Sequence, residues 1–292
     1  MDLRRALLLV AALLLVPALS LPSLEIDASA TVGNLGFSKD RNAGDTSLPN
    51  DSFLWGFDLA LSTPVSETVT LDAGIRRSLT SLNALHASLS HDAGFARIAV
   101  GSYVGIANDL DYPLKLVPGI SALLNVQLAG IGFLELSADR PLTQEPSSAG
   151  DYWQQSTQAH LGVYGENVLP GFRIDRREFF VAESGSEQRL DRVTTYAITA
   201  DIFSKNVPYR IFLTFGYENH EKRFLKDGDT QTKQALGSGV FGAEVTVDVN
   251  ERTTVWTELT NGLYTFGRED LLGKFSENTY FFRTTAGVRL KL

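Results

Sequence analysis

The sequence contains no cysteine, and this absence excludes several classes of protein. Disulfide frameworks, thiolate metal sites, cysteine nucleophiles and a lipid anchor on cysteine are all ruled out. The absence suits export to an oxidising compartment, where an unpaired thiol would be oxidised. Basic residues are also outnumbered, since 26 Lys and Arg face 34 Asp and Glu, for a net charge of −8. Because nucleic-acid binding needs a basic surface, we expect no nucleic-acid partner.

Long apolar runs are missing after residue 20, where no stretch reaches the roughly 20 apolar residues of a membrane-spanning helix. The N-terminus has a different pattern: a pair of arginines at 4–5, an apolar stretch over 6–16 and a small-x-small sequence at 18–20. This order is typical of a cleaved signal peptide, with an uncleaved anchor as the alternative. We predict a signal peptide over 1–20 and a single domain over 21–292.

From residue 24 onward, apolar residues recur with a period of two. In the last segment the even positions from Tyr280 to Leu292 are mostly apolar, whereas Arg283 and Arg289 occupy odd positions. Successive side chains of a β-strand point to opposite faces, so each segment predicts a strand with one apolar face. The segments have about 9–12 residues, the length that a tilted strand needs to cross a bilayer, and strands of soluble domains are shorter.

The connections between the segments alternate between long and short. Strands are predicted at 24–37, 52–62, 68–78, 83–91, 95–104, 118–128, 131–138, 153–164, 171–182, 192–203, 209–219, 236–249, 253–264 and 278–292. The long connections are 38–51, 105–117, 139–152, 183–191, 220–235 and 265–277, and 79–82 is short where a long one is expected. Short connections carry turn sequences such as Ala129-Gly130. A soluble sandwich has no reason to sort its loops in this way, whereas outer-membrane barrels have short periplasmic turns and long external loops.

The sequence therefore predicts an all-β fold, a closed antiparallel up-and-down transmembrane barrel of fourteen strands with both termini in the periplasm. Charged residues between Arg173 and Glu178 interrupt the apolar alternation of the segment 171–182. If this segment and a neighbouring one are not strands, the number of strands falls to twelve. Aromatic residues near the strand ends favour two membrane girdles over an ordinary core. They are Phe37, Phe53, Trp55, Trp153, Tyr217, Tyr264, Phe266, Tyr280 and Phe282 at the outer ends and Phe95, Tyr164, Phe172, Phe203 and Tyr209 at the inner ends.

With these features the chain resembles the bacterial outer-membrane β-barrel porins, and its size is similar to that of monomeric porins of fourteen strands. The resemblance covers residues 24–292 as architecture rather than as a motif. Members commonly end on an alternating strand with a C-terminal Phe or Trp, which the barrel-assembly machinery recognises. Here the segment 284–292 keeps the alternation but ends on Leu292. The resemblance implies outer-membrane lipid and, through the C-terminal strand, the assembly machinery as partners.

The face opposite the apolar one would line the lumen, and its residues are polar or small. Eight strands enclose a filled interior and sixteen or more leave an aqueous channel, so fourteen lie between. We expect a passive, weakly selective diffusion channel for small hydrophilic solutes, without cofactor or metal and without enzymatic activity. The predicted lumen-lining residues are Asp58, Asp72, Arg76, Arg97, Gln127, Glu135, His160, Arg210, Glu218, Glu244, Arg283 and Arg289.

Other functions stay open at this point. One alternative is a structural or adhesive barrel with a plugged lumen and functional surface loops. A further alternative is an outer-membrane lipid hydrolase, because His86 and Ser88 lie two positions apart, on one face of a strand. That face points inward, away from lipid, and no orienting partner stands near. His220, near Glu218 and Glu221, is a weaker protease candidate, and the charged loop 220–235 is more simply a solvated surface than a gate.

Overall fold

A computed structural model describes residues 23–33, 54–77, 83–107, 115–144, 151–182, 187–204, 207–226, 229–266 and 280–292. The predicted signal peptide over 1–20 lies outside these residues, as do Phe37, Phe53 and the side chains of Tyr264, Phe266 and Tyr280. Within the described part of the chain, no helix is long and apolar enough to cross a bilayer.

The described residues form fourteen strands, and each of the predicted segments overlaps one of them. They are β1 (Glu25–Gly33), β2 (Leu54–Pro64), β3 (Val69–Arg77), β4 (Asn83–Asp92), β5 (Ala96–Ala107), β6 (Lys115–Leu128), β7 (Gly132–Pro141), β8 (Tyr152–Val163), β9 (Val168–Ala182), β10 (Glu187–Phe203), β11 (Tyr209–Lys226), β12 (Asp229–Asn250), β13 (Thr253–Phe266) and β14 (Tyr280–Lys291).

Every strand pairs antiparallel with the next one in the chain, and β1 pairs with β14 to close the barrel. At this seam Ile26 is opposite Leu290, and the backbone N–H of Leu292 donates to the carbonyl of Leu24 at 2.8 Å. Closure gives every strand two neighbours, which satisfies backbone groups that lipid cannot. The interrupted segment 171–182 lies within β9, so the prediction of fourteen strands is confirmed and twelve is wrong.

One end of the barrel carries short turns of the predicted kind. Ala129 and Gly130 both have positive φ, 39° and 78°, and together they reverse the chain between β6 and β7. The carboxylate of Asp92 accepts the N–H of Gly94 at 2.7 Å, and the side chain of Asn250 accepts the N–H of Arg252 at 2.9 Å. Such local hydrogen bonds are why Asp, Asn and Gly favour turns. Since β1 begins and β14 ends here, we call this end the turn side and the opposite end the loop side.

Two of the predicted long loops on the loop side are wrong. Residues 187–191 belong to β10, and most of the predicted loop 220–235 belongs to β11 and β12, which leaves only 227–228 between these two strands. The charged residues of the predicted loop 220–235 alternate between the two faces of the wall and pair across strands. In the sequence, where these partners cannot be seen, the same residues resemble a solvated loop. β11 has 18 residues and β12 has 22. Because a spanning strand needs about 9–11 residues, both extend beyond the membrane.

The wall has its polarity reversed relative to a water-soluble protein. Large apolar side chains on the outer face are exposed, with Ile198 at 65% and Val100 at 64%. Polar side chains on the inner face are buried, with Thr199 at 1% and Asp201 at 5%. Exposed apolar surface of this extent is unfavourable in water and favourable against lipid tails. The distribution therefore fits a barrel whose outer wall contacts a bilayer.

Aromatic rings lie exposed near both ends of the wall. Trp55 and Tyr217 are exposed on the loop side, and Phe95 and Tyr209 on the turn side. The guanidinium of Arg77 lies over the indole of Trp55, 3.7 Å from the ring centroid, which is a cation–π arrangement. Rings at these two levels are what membrane interfaces favour.

One aromatic residue does not belong to the girdle where the sequence placed it. Phe203 is opposite Arg210 in the β10–β11 ladder and shares the inner face with Asp201. It lies at the end of β10, where the alternation in the sequence gives the face least clearly.

The assignment of faces makes a testable prediction at neighbouring positions of β12. Val245 is opposite Ile211 on the lipid-facing side, whereas Glu244 is opposite Phe212 on the lumen side. We expect Val245→Arg to lower the free energy of unfolding by about 2–4 kcal/mol, because it places a charge among lipid tails. Glu244→Arg serves as the control and should fold with little loss. Urea unfolding in bilayers measures both, and equal destabilisation would contradict the faces.

Candidate functional site in the barrel lumen

Two cavities of the lumen are lined by described residues, one nearer the turn side and one nearer the loop side. The turn-side cavity measures about 640 Å³ and the loop-side cavity about 520 Å³. The turn-side cavity is lined by Asp27, Asn125, Gln127, Phe133, Glu135, His160, Leu169, Asp201, Arg210, Phe212, Glu244, Thr246, Thr254, Trp256 and Arg289. Charged and polar residues predominate in this lining, so it is suited to water and to hydrated solutes.

Trp256 borders both cavities, so its indole lies at the level where they meet. It packs against the backbone of Gly287 on β14, where a Cβ atom would come within 2.5 Å of the ring. Glycine at this position therefore lets the indole lie close to the wall. Nearby, His160 makes edge contacts with Phe133 and Phe212, with ring centroids 5.0 Å and 6.3 Å apart. These rings make the turn-side cavity narrower than the charged lining alone would.

Charged residues of the turn-side cavity are held in pairs across neighbouring strands. The Arg210 guanidinium donates hydrogen bonds from Nε and Nη2 to the two oxygens of the Asp201 carboxylate. Arg289 lies 2.7 Å from Asp27 and 3.2 Å from Glu25. Asn125 donates to Glu135 at 3.1 Å. Such pairing compensates for the partial desolvation of each charge inside the barrel.

The same cavity has an excess of negative charge. Four carboxylates line it, and only two arginines do: the carboxylates are Asp27, Glu135, Asp201 and Glu244 and the arginines are Arg210 and Arg289. A water-filled passage with this lining attracts cations weakly, because water screens each charge strongly.

The loop-side cavity has a more even balance of charges. Arg76 contacts Asp58 at 2.5 Å, and Arg283 contacts Glu258 at 3.3 Å. Both carboxylates and both arginines border the cavity. Each pair joins strands that are neighbours in the barrel, so these contacts also fix the positions of the side chains that line the cavity.

Glu218 and His220 line the loop-side cavity together. The Glu218 carboxylate accepts a hydrogen bond from the Thr195 hydroxyl at 2.8 Å, and it lies 2.6 Å from the His220 imidazole. Glu221, the third member of the protease candidate, is one position further along β11 and faces the opposite side of the wall. The three residues therefore do not converge on one site.

Ten of the twelve residues predicted to line the lumen border the two cavities. The exceptions are Asp72 and Arg97, which face the same side of the wall and contact one another at 3.6 Å. The sequence reasoning missed Arg173, Asp175 and Arg177, which also line the loop-side cavity. Their signal was present as every second residue of β9, but charges on the outer face of the same strand obscured it.

Part of the lumen is filled by packed side chains on the loop side. Val117, Tyr152 and Phe179 form a buried cluster, and the hydroxyl of the buried Tyr103 donates to the carbonyl of Gln154 at 2.7 Å. Here β6 contacts β8 across β7, and β5 contacts β8 across both β6 and β7. The two cavities are lined by other residues, so this part of the lumen is occupied by side chains.

The hydrolase candidate lies on the inner face of the wall. His86 is opposite Gly74, and Ser88 is opposite Asp72, so both side chains point away from the lipid that would be the substrate. Among the described residues, no hydrogen bond joins the imidazole of His86 to the hydroxyl of Ser88. A serine nucleophile needs such a bond for its activation.

We expect His86→Ala to leave lipid hydrolysis at the level of the unmodified protein, because no hydrogen bond joins His86 to Ser88 among the described residues. The measurement is the release of fatty acid from phospholipid in mixed micelles. Ser88→Ala is the matched control and should behave in the same way. A hydrolytic rate that falls to background in both variants would establish the hydrolase instead.

No protein-family model and no curated protein matches the chain. Among solved structures, a bacterial polysaccharide outer membrane secretin is 10% identical with a TM-score of 0.50, covering 92% of this chain and 98% of that one. An outer membrane channel from Pseudomonas putida F1 is 10% identical with a TM-score of 0.49, covering 92% and 95%. The CymD monoaromatic hydrocarbon channel is 7% identical with a TM-score of 0.45, covering 93% and 88%. The likeness concerns the fold alone, which is that of bacterial outer-membrane β-barrels.

Proposed function

We propose that the protein is a passive channel for small hydrophilic solutes in a bacterial outer membrane, weakly selective with a slight preference for cations. The observation that carries the proposal is the pair of polar cavities, one above the other in the lumen, which share Trp256 as a border. Export through the signal peptide over 1–20 and periplasmic termini complete the proposal. The turn side, where β1 begins and β14 ends, then faces the periplasm.

The nature of the lining argues for hydrophilic solutes. Ion pairs such as Arg210–Asp201 and Arg76–Asp58 present charge to the passage, and an apolar solute would have to displace water from them. The apolar residues of the turn-side cavity, Phe133, Leu169, Phe212 and Trp256, are outnumbered by its polar and charged residues. Because the aromatic rings narrow the passage, we propose that it admits small solutes such as hydrated ions and short polar molecules.

A second candidate is a structural or adhesive barrel with a plugged lumen, and one observation favours it. The buried cluster of Val117, Tyr152 and Phe179 already fills part of the lumen. If the remaining passage is closed, the function lies in the loops of the loop side. Conductance distinguishes the two candidates, because a plugged barrel passes no current.

Single-channel recording of the refolded protein in a planar bilayer tests the channel. We expect stable current steps, and we expect Trp256→Ala to raise the conductance of each step, because it removes the ring between the two cavities. Trp55→Ala, which removes an exposed ring of the outer wall, is the matched control and should leave the conductance unchanged. A barrel that inserts without current in both the original and the Trp256→Ala form would overturn the channel and favour the plugged barrel.

The charge of the turn-side cavity gives a second prediction. Glu244→Gln should lower the ratio of potassium to chloride permeability by about two- to threefold, since one charge in water contributes less than about 1 kcal/mol at these distances. Reversal potentials under a salt gradient measure the ratio. Glu67→Gln, in the exposed turn after β2, is the control with the same change and should alter the ratio less. An equal change in both variants would show that the cavity lining does not set the preference.

A further inference from the structure

A row of polar side chains crosses the outer face of four strands on the loop side. Gln155 is opposite Glu178, Glu178 is opposite Arg192, and Arg192 is opposite Glu221 in the ladders of β8 to β11. Arg192 lies an even number of residues from the exposed Ile198 and therefore points away from the lumen. The four side chains thus form one continuous line on the outside of the barrel.

Glu178 is the centre of the first part of this row. Its carboxylate accepts hydrogen bonds from Nη2 of Arg176 at 2.6 Å and from Nε of Arg192 at 2.5 Å. Gln155 donates to its second oxygen. Arg140 on β7 extends the line by donating to Oε1 of Gln155 at 2.5 Å.

Glu221 is the centre of the second part. Nε of Arg223 lies 2.5 Å from its carboxylate, and Nζ of Lys233 on β12 lies 2.8 Å away. Arg192 approaches the same carboxylate at 3.4 Å and so joins the two parts. We call Arg140, Gln155, Arg176, Glu178, Arg192, Glu221, Arg223 and Lys233 the outer basic row.

The outer basic row has more positive charge than its own carboxylates balance. It contains five cationic side chains and two carboxylates. The side chains of Glu178 and Glu221 are only 4% and 8% exposed, whereas those of Arg176 and Lys233 are each 47% exposed. The carboxylates therefore lie beneath the cations and hold them in place, and the surface that remains accessible is positive.

The row lies just beyond the apolar band of the wall. On β11 the outward-facing residues from Tyr209 to Tyr217 are apolar or aromatic, and Tyr217 is opposite Tyr196, which is also exposed. Nine residues of a tilted strand cover about the 25 Å height of the lipid-facing band. Glu221 follows four residues after Tyr217, so the row lies at the level of the headgroups.

We propose that the outer basic row binds the phosphate-bearing headgroup of a lipid in the leaflet on the loop side. Guanidinium groups recognise phosphate through paired N–H donors, and cations near a bilayer surface attract anionic headgroups. A zwitterionic or uncharged headgroup would leave the excess positive charge unbalanced. The inference depends on the barrel spanning a membrane and not on its being a channel. A failure of the conductance test would therefore leave the lipid-binding proposal unaffected, and the reverse also holds.

The test measures lipid bound to the purified protein by native mass spectrometry. The probes are a glucosamine-based lipid that carries two phosphates and the same lipid without phosphates, each in neutral detergent micelles. We expect the phosphorylated lipid to bind and the other to bind far less. Arg140→Gln with Arg176→Gln should weaken binding by about fivefold for each lost cation. The double variant should still fold, because Arg192 and Gln155 continue to cover the Glu178 carboxylate. Arg76→Gln, which removes an arginine of the lumen, is the matched control and should bind as the unmodified protein does.

Several outcomes would overturn the proposal. Equal binding of the two lipids, or equal loss in the Arg76→Gln control, would remove the role of the row. Displacement of the lipid by equimolar inorganic phosphate would show that the outer basic row binds free anions rather than a lipid headgroup. An oligomer that the double variant abolishes, with lipid retention unchanged, would make the row a contact between copies. If the double variant does not fold, Lys233→Gln at the end of the row replaces it, with the same outcomes.

Discussion

The whole structure depends on one constraint, which is that a strand in lipid must satisfy its backbone N–H and C=O groups with another strand. Fourteen antiparallel pairings meet this constraint, and the pairing of β1 with β14 leaves no free edge among the membrane-spanning parts. Once the wall is closed, the period of two assigns each side chain to lipid or to lumen. The apolar outer face, the polar lumen and the position of the start of β1 and the end of β14 on the turn side all agree with this closure.

The same alternation produces two different electrostatic surfaces from the same residue types. Inside, Arg210–Asp201 and Arg289–Asp27 pair across strands, and the turn-side cavity keeps an excess of carboxylates. Outside, Glu178 and Glu221 lie beneath a larger number of cations. Because the wall is one strand thick, adjacent residues such as Arg177 and Glu178 belong to opposite surfaces. The proposed passage of solutes and the proposed contact with lipid therefore use separate sets of side chains and can be altered separately.

Much of this arrangement could be predicted from the sequence, because alternation is a local property. The strand number, the turn at Ala129-Gly130 and the placement of residues such as Glu244 and Arg283 follow from a period of two. The extension of β10 to β12 could not be predicted, since Glu221 and Arg223 resemble a solvated loop until their partners on neighbouring strands are known. The packing of Tyr103 and Phe179 within the lumen depends on contacts between segments that are distant in sequence. Alternation indicates which face of the wall a residue occupies, but it does not indicate which residues it contacts there.

The two-residue connection 227–228 between β11 and β12 has a consequence for the order of assembly. Closing a short loop costs little chain entropy, whereas joining β1 to β14 brings together residues about as far apart in sequence as the chain allows. The β11–β12 hairpin, with its long ladder and the Lys233–Glu221 contact, and the β12–β13 hairpin, whose connection 251–252 is equally short, therefore have the smallest entropic barriers. The seam between β1 and β14 has the largest. In kinetic terms, strand pairing is expected to begin at the hairpins with the shortest connections and to end with the pairing of β1 and β14.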